Sequence, residues 1–344
     1  MAQVVAGPVG FDMTQFDISD LVSGAVLNAT ATTFTLDLGA GRAVSYTGSG
    51  FTYGGQTFPT GGVIDGIFQT VNGQPLSSIT GLSVPVTSYY SWAINGQNLL
   101  GMQTIFAGPD TLTASDVAGN VLGGFDGDDS LVGGMFGDVL DGSLGNNTIL
   151  GGDGNDTLGA PESTGANYIR GGTGSDAIFG GAGYDDINGN QGEDTINGGD
   201  GGNDWLLGGQ GNDQVSAVAG NVIINGNLGN DTVTGGAGND SVRGGQGEDI
   251  VRGGAGDDHL YPDRGNDTVT GGSGADVFHL LAAGGADRIT DFNGAEGDRI
   301  QLEPGATFTV AQVGGDTVVT NNTGDSYTLV GVTQASFSNA WILT

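Results

Sequence analysis

Apolar positions recur through the middle of the chain with a period of nine. They are Leu131, Leu140, Ile149, Leu158, Ile169, Ile178, Ile187, Ile196, Leu206, Val215, Ile224, Val233, Val242, Val251, Leu260, Val269 and Phe278. Each is the centre of a three-residue segment that reads as a short strand, one side chain inward and its two neighbours outward. Six residues of the form G-G-x-G-x-D precede each strand; Gly235-Gly236-Ala237-Gly238-Asn239-Asp240 is an intact copy. Glycines there supply positive φ and let backbones crowd together, so the six residues read as a turn. Two turns and two strands make eighteen residues, one coil of a flattened helix of parallel strands. The frames run from Gly124 to His279, and only Ala160-Pro161 and Gly198 break the step of nine. Repetition in such register predicts a solenoid.

The flanks follow other rules. Residues 1–105 alternate with period two at Phe34–Leu38, Val44–Tyr46, Val63–Phe68 and Tyr89–Ile94, with turn signals such as Tyr53-Gly54-Gly55 between them. They predict a β-rich domain with short helices near Asp17–Val22 and Asn98–Met102. Residues 106–279 form the roll, opened by a rung at Gly108–Thr113 that lacks paired glycines. Residues 280–344 form a β cap over the last rung, whose strand edges would otherwise be open to stacking. The fold class is all-β: a parallel β-roll between an N-terminal β-rich domain and a C-terminal β cap.

One apolar side chain per nine residues is little burial to set against the entropy of ordering nine backbone units. Stacked turns would also place Asp above Asp. The formal charge of the 344-residue chain is −32, with no Lys, seven Arg and 71 Gly. A cation between the turns answers both difficulties. Ca²⁺ takes six to eight oxygens, and each turn offers a carboxylate and several carbonyls. There is no Cys, and the only histidines are His259 and His279, so zinc or copper lacks its usual ligands. About fifteen divalent ions would supply roughly +30, nearly cancelling the deficit. An acidic chain of this kind is a poor nucleic-acid binder, and no apolar run reaches membrane-spanning length.

These nonapeptides resemble the RTX (repeat-in-toxin) family, whose repeats form a calcium-loaded parallel β-roll. The resemblance implies several bound Ca²⁺, each between a turn and the turn two frames on, held by the sixth-position residues. In this chain those are Asp129, Asp138, Asp156, Asp176, Asp185, Asp194, Asp204, Asp213, Asp231, Asp240, Asp249, Asp258, Asp267 and Asp276, with Asn147 and Asn167 as weaker substitutes. Val222 takes the same position without a donor. All three departures fall on odd frames, so one edge should carry an unbroken ion ladder and the other a gapped one. The frame Ala217–Asn225 is expected to be metal-free. Met1–Gly10 shows no basic segment ahead of an apolar core, so no cleavable signal is expected. The resemblance implies type I secretion, read from an uncleaved C-terminal signal, and folding on calcium outside the cell. Gly61–Val84 is similar to N-terminal modules that accompany such repeats. Asp287–Phe292, Gly297–Leu302 and Thr328–Val332 resemble the C-terminal region of type I substrates, including serralysin-type metalloproteases.

The protease likeness goes no further, because there is no H-E-x-x-H and no G-x-S-x-G elbow. The G-x-G-x-x-G matches inside the repeats lack a strand-to-helix context and are by-products of the nonapeptide. No catalytic constellation is legible, and the chain is expected not to be an enzyme. The first reading is a secreted, calcium-dependent structural or adhesive component, of matrix or surface-layer type, that self-associates or meets a cell-surface partner. The alternative is an N-terminal ligand- or glycan-binding module, with the roll as export and folding scaffold.

Overall fold

The computed structural model describes residues 108–114 and 119–344 in full. Of the first 107 residues it describes the strands Gln3–Ala6, Ala25–Ala29, Thr33–Gly39, Arg42–Thr52, Gly61–Val71 and Gln74–Pro85, and the buried side chain of Tyr46. The helices expected near 17–22 and 98–102, and the aromatic stretch 89–94, lie outside the described residues. The chain divides into two compact units, Met1–Ala160 and Pro161–Thr344. The division falls where Ala160-Pro161 interrupts the repeat.

In the first unit, the five strands from Ala25–Ala29 to Gln74–Pro85 form an antiparallel meander. Gln3–Ala6 joins it by pairing antiparallel with Gln74–Pro85, Gln3 opposite Thr80. The other edge of Gln3–Ala6 pairs parallel with Thr111–Thr113, Gln3 opposite Thr111. One four-residue strand thus converts a period-two sheet into the first rung of the roll. Parallel pairing continues through Ser130–Val132 and Thr148–Asp153. Val121–Gly123, Val139–Asp141 and Thr157–Gly159 form the facing sheet.

The second unit repeats this on a larger scale. One parallel sheet runs from Asn167–Thr173 through Asp185–Gln191, Trp205–Gln210, Ile223–Leu228, Ser241–Gln246, His259–Arg264 and Val277–Leu280 to Arg299–Leu302. The other runs from Ala177–Gly181 to Ala286–Ile289. Gly198 itself lies in the strand Thr195–Gly199 and the extra residue is absorbed in the turn that follows: Ile187 still stands opposite Leu206, although nineteen residues separate them. All the inward positions from Leu131 to Phe278 are buried. Because side chains alternate along a strand, their neighbours point out.

The parallel ladder runs past residue 279. Phe278 pairs with Ile300 and Val269 with Ile289, at separations of 22 and 20 residues instead of 18. Two edges then close differently. Arg299–Leu302 is covered by the short strand Ile342–Leu343. Ala286–Ile289 is covered by Ser326–Leu329, followed by the antiparallel strands Asp316–Asn321 and Phe308–Val313. No helix among the described residues is long and apolar enough to cross a membrane.

With a single apolar side chain per half-coil, each such position should be costly to truncate. Ile187→Ala is expected to destabilise the calcium-saturated protein by roughly 2–5 kcal/mol, read from denaturant unfolding at saturating calcium. A loss below about 0.5 kcal/mol would mean that the column does not carry the core.

Candidate metal centre

The turns are shaped by backbone conformation first. The second and fourth positions of the repeat adopt positive φ, as at Gly209 (123°) and Gly211 (132°). Five residues that replace the second glycine keep the conformation, at Phe125, Ser143, Asn190, Asn227 and Asp263, whereas Ser163 and Val218, in frames that also lack the first glycine, do not. The conformation therefore belongs to the rung, and glycine is its least strained occupant.

The sixth-position carboxylates stack along each edge, and all sixteen residues expected as ligands are buried. On one edge the backbone N–H of Asp176 donates to Asp194 Oδ1 at 2.8 Å. The pattern repeats from Asp194 to Asp213, Asp213 to Asp231, Asp231 to Asp249 and Asp249 to Asp267. On the other edge, Asn167 donates to Asp185, Asp185 to Asp204, Asp240 to Asp258 and Asp258 to Asp276. In the first unit, Asp138 donates to Asp156 and Asp129 to the amide oxygen of Asn147.

Oδ1 is thereby consumed in the fold. The second oxygen, Oδ2, is buried without a hydrogen-bond partner in Asp129, Asp185, Asp194, Asp204, Asp213, Asp231, Asp240, Asp249, Asp258 and Asp276. Asp138 differs, because its Oδ2 accepts from Gly134 N–H at 2.9 Å. The orphaned oxygens face the first glycine of their own turn. A Cβ on Gly208 would stand 2.5 Å from Asp213 Oδ2 and 2.8 Å from the Gly226 carbonyl oxygen one coil on. Carboxylate and carbonyl oxygens therefore converge on space that only glycine leaves open. Among the described residues no three His, Cys, Asp or Glu side chains form a cluster. A site here must draw on carbonyls beside the carboxylates, which is the donor set of a hard cation. The residues present fit Ca²⁺, with the sixth-position Asp residues and turn carbonyls as the groups that would hold it.

Burial makes these carboxyls reluctant to ionise alone. It pushes Asp204, Asp213, Asp249 and Asp258 up to about 7, against a partial opposing pull from the N–H of the preceding rung. Asp185, Asp231 and Asp276 rise to about 6 for the same reason.

Two carboxylates beyond the nonapeptides join the ladders. Asp267 N–H donates to Asp287 Oδ1 at 3.0 Å, and Asp276 N–H to Asp298 Oδ1 at 3.1 Å. Burial and the facing Asp267 push Asp287 upward. Asp298 ends its edge: its N–H turns back to the Asn293 carbonyl oxygen at 3.4 Å, and its Oδ2 accepts from Asn293 N–H at 2.7 Å. The signal for Asp287 is present as Gly285-Ala286-Asp287-Arg288-Ile289, a G-x-D-x-U fragment out of step with the period. A second ladder runs along the exposed fifth positions in the opposite sense. Asn230 N–H donates to Asn212 Oδ1, Glu248 N–H to Asn230 Oδ1, and Asp257 N–H to Asn239 Oδ1. The frequent Asn at that position is its trace in the sequence. The Asp-Asp pairs divide: Asp185 lies in the ladder while Asp186 bonds Arg170 at 2.8 Å, and Asp258 lies in the ladder while Asp257 accepts from Ala275 N–H.

Val222 is buried in the ladder position, and its N–H still donates to Asp240 Oδ1 at 2.9 Å. The same frame has Ala217 in place of the first glycine, so a methyl group lies where other frames keep space for oxygens. The frame of Asn167 likewise begins with Glu162. Pro262 is the exception, since its frame retains Asp267.

Comparison with known families adds to this geometry. The model of the RTX calcium-binding nonapeptide repeat matches residues 123–158 and, in overlapping copies, 163–282. This chain is an RTX-repeat protein. RTX nonapeptides are calcium-binding motifs, and their presence implies a protein secreted by a type I system. Among solved structures, extracellular lipase LipA from Serratia marcescens is similar at 18% identity and a TM-score of 0.30. The match covers 69% of this chain and 45% of that one. Comparison with curated protein sequences returns no match.

The raised carboxyl values fix a sign for the metal-free RTX roll. Unfolded Asp titrates near 4, so the folded roll holds protons that the unfolded chain has released. Stability from this source is full below about 4 and is lost as pH rises through 6 to 7. In chelator, lowering the pH from about 8 to about 5 should therefore increase the far-ultraviolet β signal. A signal that is flat, or that falls with pH, contradicts the assignment.

The Ala217–Val222 frame gives a second test. Val222→Asp alone should not add an ion, because the Ala217 methyl group fills the cradle. Ala217→Gly with Val222→Asp should bind one more Ca²⁺ than the natural chain. Native mass spectrometry at saturating calcium distinguishes the cases, and equal stoichiometry in both variants would refute the cradle argument.

Proposed function

We propose that this RTX-repeat protein is an extracellular structural or adhesive component that gains its shape when it meets millimolar calcium outside the cell. Calcium would act on folding through the buried Oδ2 atoms, since ions that bind only the folded state add their binding free energy to its stability. A chain held unfolded at low calcium suits passage through a secretion channel, and the same chain would become rigid outside.

The observation that supports a contact role is a row of outward side chains on one sheet of the second unit. Tyr168 stands opposite Asp186, Asp186 opposite Trp205, and Trp205 opposite Ile223. Tyr168, Trp205 and Ile223 are 43%, 48% and 49% exposed. Large apolar side chains kept in register on a flat face offer a contact surface. The strand Phe308–Val313 adds a second opening, because it pairs with Asp316–Asn321 on one side and carries Val313 at 60% exposure.

A calcium titration of the full chain followed by circular dichroism and light scattering tests both halves of the reading. β signal and scattering should rise together. Trp205→Ser with Ile223→Ser should keep the β transition and lower the scattering. A natural chain that folds on calcium but stays monomeric and never associates with cells would overturn the adhesive role and leave calcium-dependent folding standing.

A further inference from the structure

The two histidines of the chain, twenty residues apart, meet on the outer face of the roll. His259 Nδ1 and His279 Nε2 lie 2.9 Å apart. His259 opens the strand His259–Arg264 and is exposed; His279 lies on the neighbouring strand Val277–Leu280 and is half-buried. The register sets them diagonally, with His259 opposite Val277. Tyr261 stacks on His279 with ring centroids 3.9 Å apart, and Arg243 covers the other side of Tyr261, its Cζ 4.4 Å from the ring centroid. The stack limits how far the His279 ring can turn.

We propose that His259 and His279 form a two-imidazole site for a borderline divalent transition-metal ion such as Zn²⁺ or Cu²⁺, separate in place and chemistry from the oxygen-lined turns. Two nitrogens bound to one ion at about 2.0–2.1 Å stand about 2.9–3.4 Å apart for angles between square and tetrahedral. The observed separation lies in that range, so taking an ion requires the two rings to swing until their lone pairs converge, without drawing the nitrogens apart. In the hydrogen-bonded pair one of the facing nitrogens carries a proton. On binding, both facing nitrogens present lone pairs and each neutral ring carries its proton on the other nitrogen, Nε2 of His259 and Nδ1 of His279. Burial, then His259 and Arg243, hold His279 down at about 4, so its ring is neutral at physiological pH. Imidazole is the ligand type that selects Zn²⁺, Cu²⁺ and Ni²⁺ over Ca²⁺. Water completes the coordination on the exposed side of His259. Arg243 opposes a cation here, while the formal charge of −32 on the chain favours one.

The test uses the full chain saturated with Ca²⁺, so that the carboxylate ladders are filled. Substoichiometric Cu²⁺ should give an electron paramagnetic resonance spectrum with hyperfine coupling to two imidazole nitrogens. His259→Gln or His279→Gln should each remove that two-nitrogen signature and leave calcium stoichiometry unchanged. In the unsubstituted chain, Zn²⁺ should shift the ¹⁵N resonances of both imidazoles at the same stoichiometry without releasing Ca²⁺, a readout independent of how the variants fold. A copper signal that persists in the double variant, or zinc shifts confined to one ring, would overturn the site and reduce the pair to a packed hydrogen bond.

Discussion

A sixth-position aspartate such as Asp213 is asked to do two things at once, and the protein supplies only one of the partners. Oδ1 of Asp213 accepts the backbone N–H of Asp194 and so stitches one coil to the next. Oδ2 of the same residue is carried inside with no donor, among oxygens of the turn. Deleting the carboxylate would leave the Asp194 N–H buried without that acceptor, and keeping it buries a charge. Both are costly in a low-dielectric setting. A proton relieves the second cost weakly and a divalent cation relieves it strongly. Coil-to-coil stitching, calcium binding and the acidity of the chain thus trace to the same carboxylates.

The same bond geometry gives the roll a direction. Sixth-position carboxylates receive a hydrogen bond from the coil before, whereas fifth-position side chains receive one from the coil after, as Asn212 does from Asn230. Adjacent coils are therefore tied in both senses along each edge. Stability in such arrays is close to a sum of nearest-neighbour terms. A single defective rung is tolerated if its neighbours remain stitched. At Val222 the upward link survives through its own N–H to Asp240, while Asp204 meets a valine where the next carboxylate would be. The break is thus one-sided, and the apolar column, with Leu206, Ile224 and Val242 all buried in register, passes through it uninterrupted.

The middle of the molecule was legible because its physics is periodic. Any residue whose environment is set by the coil above and below announces itself by recurrence, which is why the inward column and the ladder positions could be read from spacing alone. Asp287 and Asp298 were hidden for the complementary reason. They occupy the same kind of place, but the connections that reach them are two and four residues longer, and a fixed period steps over them. Fifth-position asparagines recur, yet their role depends on bond direction, which spacing does not encode. His259 and His279 are a sharper case. Each sits at an unremarkable outward position, and only strand register, with its diagonal offset, brings their nitrogens together.

The two longer connections also explain how a repeat can stop without leaving a raw edge. A nonapeptide turn offers its successor the N–H of its sixth residue, as Asp213 does to Asp231, so each rung is a template for another. Asp298 accepts the Asp276 N–H as any ladder residue would, then turns its second oxygen onto the N–H of Asn293 in its own loop. The template is read once more and then closed by the chain itself. On the facing sheet the change is made with pairing sense. Ser326–Leu329 continues the parallel ladder, and Asp316–Asn321 answers it antiparallel. An antiparallel partner no longer presents the turn geometry that a further nonapeptide would need. Growth in the parallel sense therefore ends through an antiparallel partner on one sheet, and on the other with the two-residue parallel strand Ile342–Leu343 that covers Arg299–Leu302.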